Sequence, residues 1–269
     1  MNIKTLWTVI AVGFAATALR AVAGEQESVP LKDSAPVEVS DYEGGRGLLT
    51  SQGPSGLFIN PTSGTLPAHA FTLEYCFWTT NNNISGVQHG VMASYGVTDW
   101  LEFGALFTGL DVQSPGPNQF AGGPLTRVRL LKDEGLIPEL SIGGYCHLGD
   151  TNIADYDTFL ALFKRVEISP NGFFRSVGFH AGIRETWAGS ARFVTAAPVG
   201  YGGIEFQLPY RIYILGELST TDTNEGKQTP YSFGFQWRNG IFNCSVAFEN
   251  NGGFDQPSFY FGVGSQLKF

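Results

Sequence analysis

Apart from its first two dozen residues, the chain has no apolar stretch that approaches the ~18 consecutive residues of a membrane-spanning helix. It is also short of charge. Asp, Glu, Lys and Arg make up 15% of its 269 residues, where ordinary soluble domains carry ~25%. Basic residues are in the minority and the formal charge is −8, which argues against nucleic acid as a partner. Cysteines number three, so they cannot all pair within the chain. Cys76, Cys146 and Cys244 each fall in a strand-like run, without the C-x-x-C or His-clustered spacing of a metal site, and read as small hydrophobic residues. One disulfide among them is left open. There is no P-loop, dinucleotide fingerprint or G-x-S-x-G, so no cofactor, metal or catalytic group is expected.

What is plentiful is glycine, with 35 residues, and aromatic side chains, at 14%. Residues 1–23 begin with Lys4, run apolar through LWTVIAVGFAATAL and close on Ala21-Val22-Ala23. This is the pattern of a cleaved secretory signal peptide; a membrane-anchoring helix would need ~20 apolar residues. Loss of Lys4 and Arg20 with this segment takes the formal charge from −8 to −10. Residues 24–68 are acidic and aperiodic, with Pro and Gly throughout, and are expected to form a flexible periplasmic extension. Residues 69–269 form the main domain.

From His69 onward the residues alternate with period two. Strands are predicted at 69–80, 86–98, 99–110, 123–133, 136–148, 156–168, 173–187, 199–208, 211–220, 230–238, 241–250 and 258–269. Tight turns such as Thr98-Asp99, Asp133-Glu134-Gly135, 169–172, Pro209-Tyr210 and Asn239-Gly240 alternate with longer loops. Twelve strands with that asymmetry describe an all-β fold, a transmembrane antiparallel up-and-down barrel whose short turns lie in the periplasm.

Parity decides what the two faces meet. Leu101, Phe103, Ala105 and Phe107 alternate with Glu102, Gly104 and Thr108; Tyr231, Phe233, Phe235 and Trp237 alternate with Ser232, Gly234, Gln236 and Arg238. The polar faces are rich in Gly and mid-strand charge, unlike a solvated sheet, and aromatics such as Tyr75, Trp187, Tyr231 and Trp237 sit near strand ends. A soluble sandwich would share the alternation but not these features. Parity then turns Glu74, Glu102, Arg127, Arg129, Arg165, His180, Arg184, Glu205, Glu217 and Arg238 toward the lumen, with arginines denser on one arc and glutamates on the other. One reading is a constriction of opposed charge that orients polar or anionic solutes. The other is a set of Arg–Glu pairs filling the lumen. His180 is also the one mid-strand inward histidine a hydrolase reading could use as a base.

The last strand, SFYFGVGSQLKF, resembles the C-terminal signal of Gram-negative outer-membrane proteins: Phe259, Phe261, Val263 and Leu267 alternate toward a terminal Phe269. The resemblance implies outer-membrane lipid and the barrel assembly machinery as partners. Upstream, GLFINPTSGTLPAHAFTLEY at 56–75 followed by YGVTDWLEFGA at 95–105 resembles the opening of barrels related to the YjbH family, with Ser63 where Ala is usual. That family is associated with exopolysaccharide export, so this second resemblance implies an envelope role. The residues thus point to a passive channel or transport-related barrel for small polar or anionic solutes. The alternative is a non-conducting envelope protein that supports polysaccharide export or surface structure.

Overall fold

Among the described residues, alternating β-branched and aromatic residues produce thirteen strands: β1 (Ala70–Asn81), β2 (Ser85–Thr98), β3 (Leu101–Val112), β4 (Gln119–Leu131), β5 (Glu139–Gly149), β6 (Ala154–Glu167), β7 (Ser176–Gly189), β8 (Phe193–Thr195), β9 (Val199–Gln207), β10 (Ile212–Ser219), β11 (Tyr231–Arg238), β12 (Phe242–Asn250) and β13 (Ser258–Lys268). The computed structural model describes residues 46–51, 53–81, 85–112, 119–149, 154–189, 193–195, 198–220, 229–239, 241–250 and 257–269. All belong to one compact unit, Val39–Phe269. The expected signal peptide, residues 24–45 of the expected extension and Gly240 of the Asn239-Gly240 turn lie outside the described residues.

Every long strand pairs antiparallel with its chain neighbours, and the first pairs with the last: Ala70 opposite Lys268, Trp78 opposite Tyr260. Pairing of β6 with β7 completes the ring. β8 is not a further stave. It follows the same edge of β7 as β9, Trp187 facing Thr195 and Arg184 facing Val199, with a slip in register between the two. The wall is therefore a closed twelve-stranded barrel. Closure leaves no open edge, the condition for strands to cross hydrocarbon.

The burial pattern is inverted relative to a soluble sheet. Along β11, Phe233 and Phe235 are 53% and 49% exposed, while Gln236 and Arg238, on the opposite face, are 1% exposed. Leu73, Phe103, Phe107, Phe179, Ile183 and Phe248 continue the outward apolar belt. On the outer surface of the β1–β13 seam, the Phe77 ring lies 5.5 Å from Phe261 and 6.3 Å from Phe259, and Phe248 adds a fourth ring 6.1 Å from Phe259. The aromatics of the last strand thus seal the join between first and last strands on its lipid side. The barrel spans a membrane with this face outward.

β1 starts, β13 ends and the connections 99–100, 132–138, 168–175, 208–211 and 239–241 return at one rim, called here the turn end. Two of these turns are longer than the sequence suggests, because the strands expected from 136 and 173 begin only at Glu139 and Ser176. Pro138 has no N–H for the ladder, and Glu134 and Ile137 close a turn on Gly135, whose φ of 56° suits glycine. A register shift between Arg129 and Leu131 leaves Leu130 and Leu131 both exposed, as a bulge does. All three cysteines are free thiols: Cys76 faces inward and is buried, while Cys146 and Cys244 are half-buried on the outer side.

The belt makes a depth-dependent prediction. Phe107→Arg, in the middle of β3, should lower unfolding free energy in lipid vesicles by about 2–4 kcal/mol, and Trp100→Arg at the rim by less than about 1 kcal/mol. Urea titration followed by gel mobility of unheated samples measures both.

Candidate functional site

The lumen is occupied by the chain itself. Residues 46–51 and 53–66, expected to be part of a flexible extension, are buried along their length, Phe58 and Asn60 at 0%. The correction has a physical cause. This stretch carries Leu48, Leu49, Leu57, Phe58, Ile59 and Leu66, more apolar surface than a solvated tail carries, and the strands around it present unpaired polar groups that its backbone can satisfy.

The segment is a re-entrant loop with its own internal order. Gly56 N–H donates to Leu48 O at 2.8 Å, Ser51 N–H to Phe58 O at 2.8 Å and Leu57 N–H to Asn60 O at 3.0 Å. Its two limbs cross so closely that a Cβ on Gly47 would lie 1.5 Å from Gly56 O, and one on Gly56 would lie 2.1 Å from Asn60 O. Only glycine fits at either point. Glycines of the wall make room in the same way: a Cβ on Gly203 would meet Leu57 at 2.6 Å. The Gly-rich inward faces noted in the sequence are thus partly the imprint of this plug.

Its neck is held by two carboxylates. Arg46 donates to Glu74 Oε1 at 2.9 Å and to Glu102 Oε1 at 3.2 Å, while Leu66 N–H donates to Glu102 Oε2 at 3.0 Å. Glu102 therefore binds both ends of the loop at the turn end, where β3 begins. Glu74 also accepts from Leu49 N–H at 2.5 Å, and the Tyr260 hydroxyl bonds to Leu49 O.

The tip is held by Glu217. Its carboxylate accepts from the N–H groups of Phe58 (3.0 Å), Ile59 (2.7 Å) and Asn60 (3.2 Å), and also from Asn60 Nδ2 (2.9 Å) and Ser232 Oγ (2.7 Å). Other wall groups take up the remaining backbone. Arg127 Nη2 donates to Ser55 O at 2.8 Å and its Nη1 bonds to Gly64 O; Gln236 Nε2 donates to Leu57 O at 2.7 Å, and the Tyr201 hydroxyl to Pro61 O at 2.8 Å. Ser63 Oγ donates to Glu139 at 2.7 Å, while Ser141 Oγ donates to Ser63 O at 2.5 Å. Between these polar contacts, Leu49, Leu57 and Phe58 pack into one cluster with Cys76, Trp78, Met92, Leu106 and Tyr260.

The residues expected to line a constriction lie on the lumen side of their strands and divide into two groups. Glu74, Glu102, Arg127 and Glu217 hold the plug directly, and Arg129 lies 3.6 Å from Glu139, which does so. Arg165, His180, Glu205 and Arg238 form a separate cluster at the turn end, and Arg184 lies beside Tyr145. The picture of opposed arcs facing open water is replaced by side chains that grip a segment of main chain. His180 makes no hydrogen bond to a hydroxyl or thiol among the described residues; it lies 3.4 Å from Glu205 and 4.7 Å, ring to ring, from Phe163. Gln236, Tyr201, Ser141 and Tyr260 escaped sequence reasoning, since an isolated polar residue on an inward face carries no signal until the plug is known.

No family model matches the sequence, and no curated protein matches it. Among solved structures, a KdgM porin is similar over 74% of this chain and 99% of its own, with 12% identity and a TM-score of 0.46. The translocator domain of the autotransporter NalP from Neisseria meningitidis is similar over 76% of this chain and 90% of its own, with 14% identity and a TM-score of 0.43. CdiB from Acinetobacter baumannii is similar over 80% of this chain and 63% of its own, with 7% identity and a TM-score of 0.37. At these values the likeness bears on no detail of the lumen.

The grip of Glu217 sets a measurable stability for the plug. Removing a charged acceptor from several buried N–H groups costs about 3 kcal/mol. Cys76, whose Sγ lies 3.9 Å from Thr50 O, reports plug position through its accessibility. In a Cys146→Ser, Cys244→Ser background, Glu217→Ala should speed maleimide labelling of Cys76 by on the order of a hundredfold. Glu217→Gln, which keeps one acceptor oxygen, should fall between.

Proposed function

We propose that this chain is a transport-related barrel of a Gram-negative outer membrane, held shut at rest by residues 46–66 and opened when that loop leaves the lumen. The observation that carries the reading is that polar side chains of β1, β3, β4, β5, β9, β10, β11 and β13 hydrogen-bond one short segment, with no covalent link between them. Hydrogen-bonded contacts of that kind are reversible, and a permanent filling could have been built from apolar side chains of the wall. The leader at 1–23 supports export. The alternating aromatics ending at Phe269 support recognition by the barrel assembly machinery, and the acidic residues 24–45 then begin in the periplasm. The solute that fits the lumen's chemistry is small and polar or anionic.

A second reading keeps the barrel closed at all times, as an envelope protein that supports exopolysaccharide export or surface structure. It is favoured by one observation: the stretch resembling the YjbH family, GLFINPTS, is the part of the chain that Glu217 and Tyr201 hold in the lumen.

Planar-bilayer recording separates the two. Mature chain (24–269) should be closed with rare brief openings, Arg46→Ala should open more often, and a chain lacking residues 24–66 should give stable conductance steps. A folded plug-less barrel that conducts nothing would sink the transport reading in favour of the second.

A further inference from the structure

Apart from the plug's anchors, one cluster of buried charge has work left undone. At the turn end, Arg165 of β6, His180 of β7 and Arg238 of β11 converge on a single carboxylate, Glu205 of β9. Arg238 Nη2 lies 3.0 Å from Glu205 Oε2 and His180 Nε2 lies 3.4 Å from the same oxygen. Arg165 Nη2 stands off at 3.7 Å from Oε1, too far for a hydrogen bond. Two guanidiniums and an imidazole thus share one acid. Arg165 Nε and Nη2 are buried donors without a hydrogen-bond partner among the described residues, and both ring nitrogens of His180 are buried without one as well. Buried donors, above all those of a guanidinium, are costly to leave unmade.

The cluster is rigid and reachable. Arg238 stacks on the Tyr213 ring at 4.2 Å and Arg165 on the Phe163 ring at 5.4 Å, and the same Phe163 ring abuts His180. The Arg165 side chain keeps 22% of its surface exposed, whereas His180 and Arg238 behind it keep 1% each. A solute would meet Arg165 first and the deeper donors after it. Spare forked and planar N–H groups held on aromatic faces suit an oxyanion: a carboxylate, sulfate or phosphate group.

The cluster is also joined to the plug. Arg238 Nε donates to Gln236 Oε1 at 2.8 Å, and the other end of that amide, Nε2, donates to Leu57 O of the plug at 2.7 Å. Arg238 therefore fixes which way round the amide sits. We propose that Arg165, His180 and Arg238 form a binding site for the oxyanion group of a small solute arriving from the turn end, and that its occupancy loosens the plug. An anion that draws Arg238 toward itself competes with Glu205 and Gln236 for the guanidinium. The Gln236 amide then loses the partner that keeps its nitrogen on Leu57 O. The binding step stands apart from the transport reading; the loosening rests on it.

The test uses the full mature chain in detergent, in the Cys146→Ser, Cys244→Ser background, with radiolabelled inorganic sulfate as the probe. Equilibrium dialysis at fixed chloride should show saturable binding of one equivalent. Arg165→Gln and His180→Gln should each weaken it about tenfold, and Lys164→Gln, on the outer face of the same strand, should leave it unchanged. No saturable binding, or equal binding in all the variants, overturns the site. Saturating sulfate should also speed maleimide labelling of Cys76 several-fold in the parent chain and not in Arg165→Gln. Binding with no change in labelling overturns the link to the plug. Conductance of the chain lacking residues 24–66 does not depend on either result, so failure here remains distinct from failure of the transport reading.

Discussion

In the hydrocarbon of a bilayer there is no water to take up an unpaired N–H or C=O, so the backbone must satisfy itself entirely within the wall. That requirement brings Ala70 to Lys268 and closes the ring between the first and last strands. It also fixes which side chains go where. Once the outside must be apolar, period-two alternation sends every second residue of each strand inward, and the polar and charged residues have nowhere else to go. Glu74, Glu102, Arg127, Glu205, Glu217 and Arg238, each no more than 3% exposed, are the result.

The inner face then meets the converse difficulty. A carboxylate withdrawn from water is tolerated only where donors replace the lost hydration. Arg46 supplies Glu74 and Glu102 with charge, whereas Glu217 has no ion pair among the described residues and accepts from three successive N–H groups of the plug and two side-chain donors. Main-chain donors arranged in this way form an anion-binding concavity. Wall and plug are therefore mutually dependent: the plug's backbone is satisfied by wall side chains, and the wall's acids by the plug's backbone. The Arg165–His180–Glu205–Arg238 cluster is the exception, since its cations outnumber its acids.

Most of the wall was legible in the sequence, because alternation along a strand is local and twelve strands repeat it. Strand limits moved by a few residues, among them the late start of β5 after Pro138, the late start of β7 after the turn at 168–175, and the earlier start of β4 at Gln119. The plug was less legible. Residues 46–66 have no period, and acidic residues precede them, so composition grouped them with the tail. Two signs lay in the sequence nonetheless: the apolar Leu57-Phe58-Ile59 within a supposed solvated extension, and inward glutamates such as Glu217 for which the strands offered no matching cation. Neither could be turned into a contact without knowing which strands face each other, since Phe58 and Glu217 are 159 residues apart in the chain.

The double hold of Glu102 on Arg46 and Leu66 has a consequence for the order of assembly. Both described ends of the loop, Arg46 and Leu66, meet at Glu102 near the same rim. The wall can close at its β1–β13 seam first, and the loop can dock afterwards as a unit. Its partners on β4, β10 and β11 are brought together only by that closure. Full docking of the loop therefore cannot precede closure of the ring that assembles its partners.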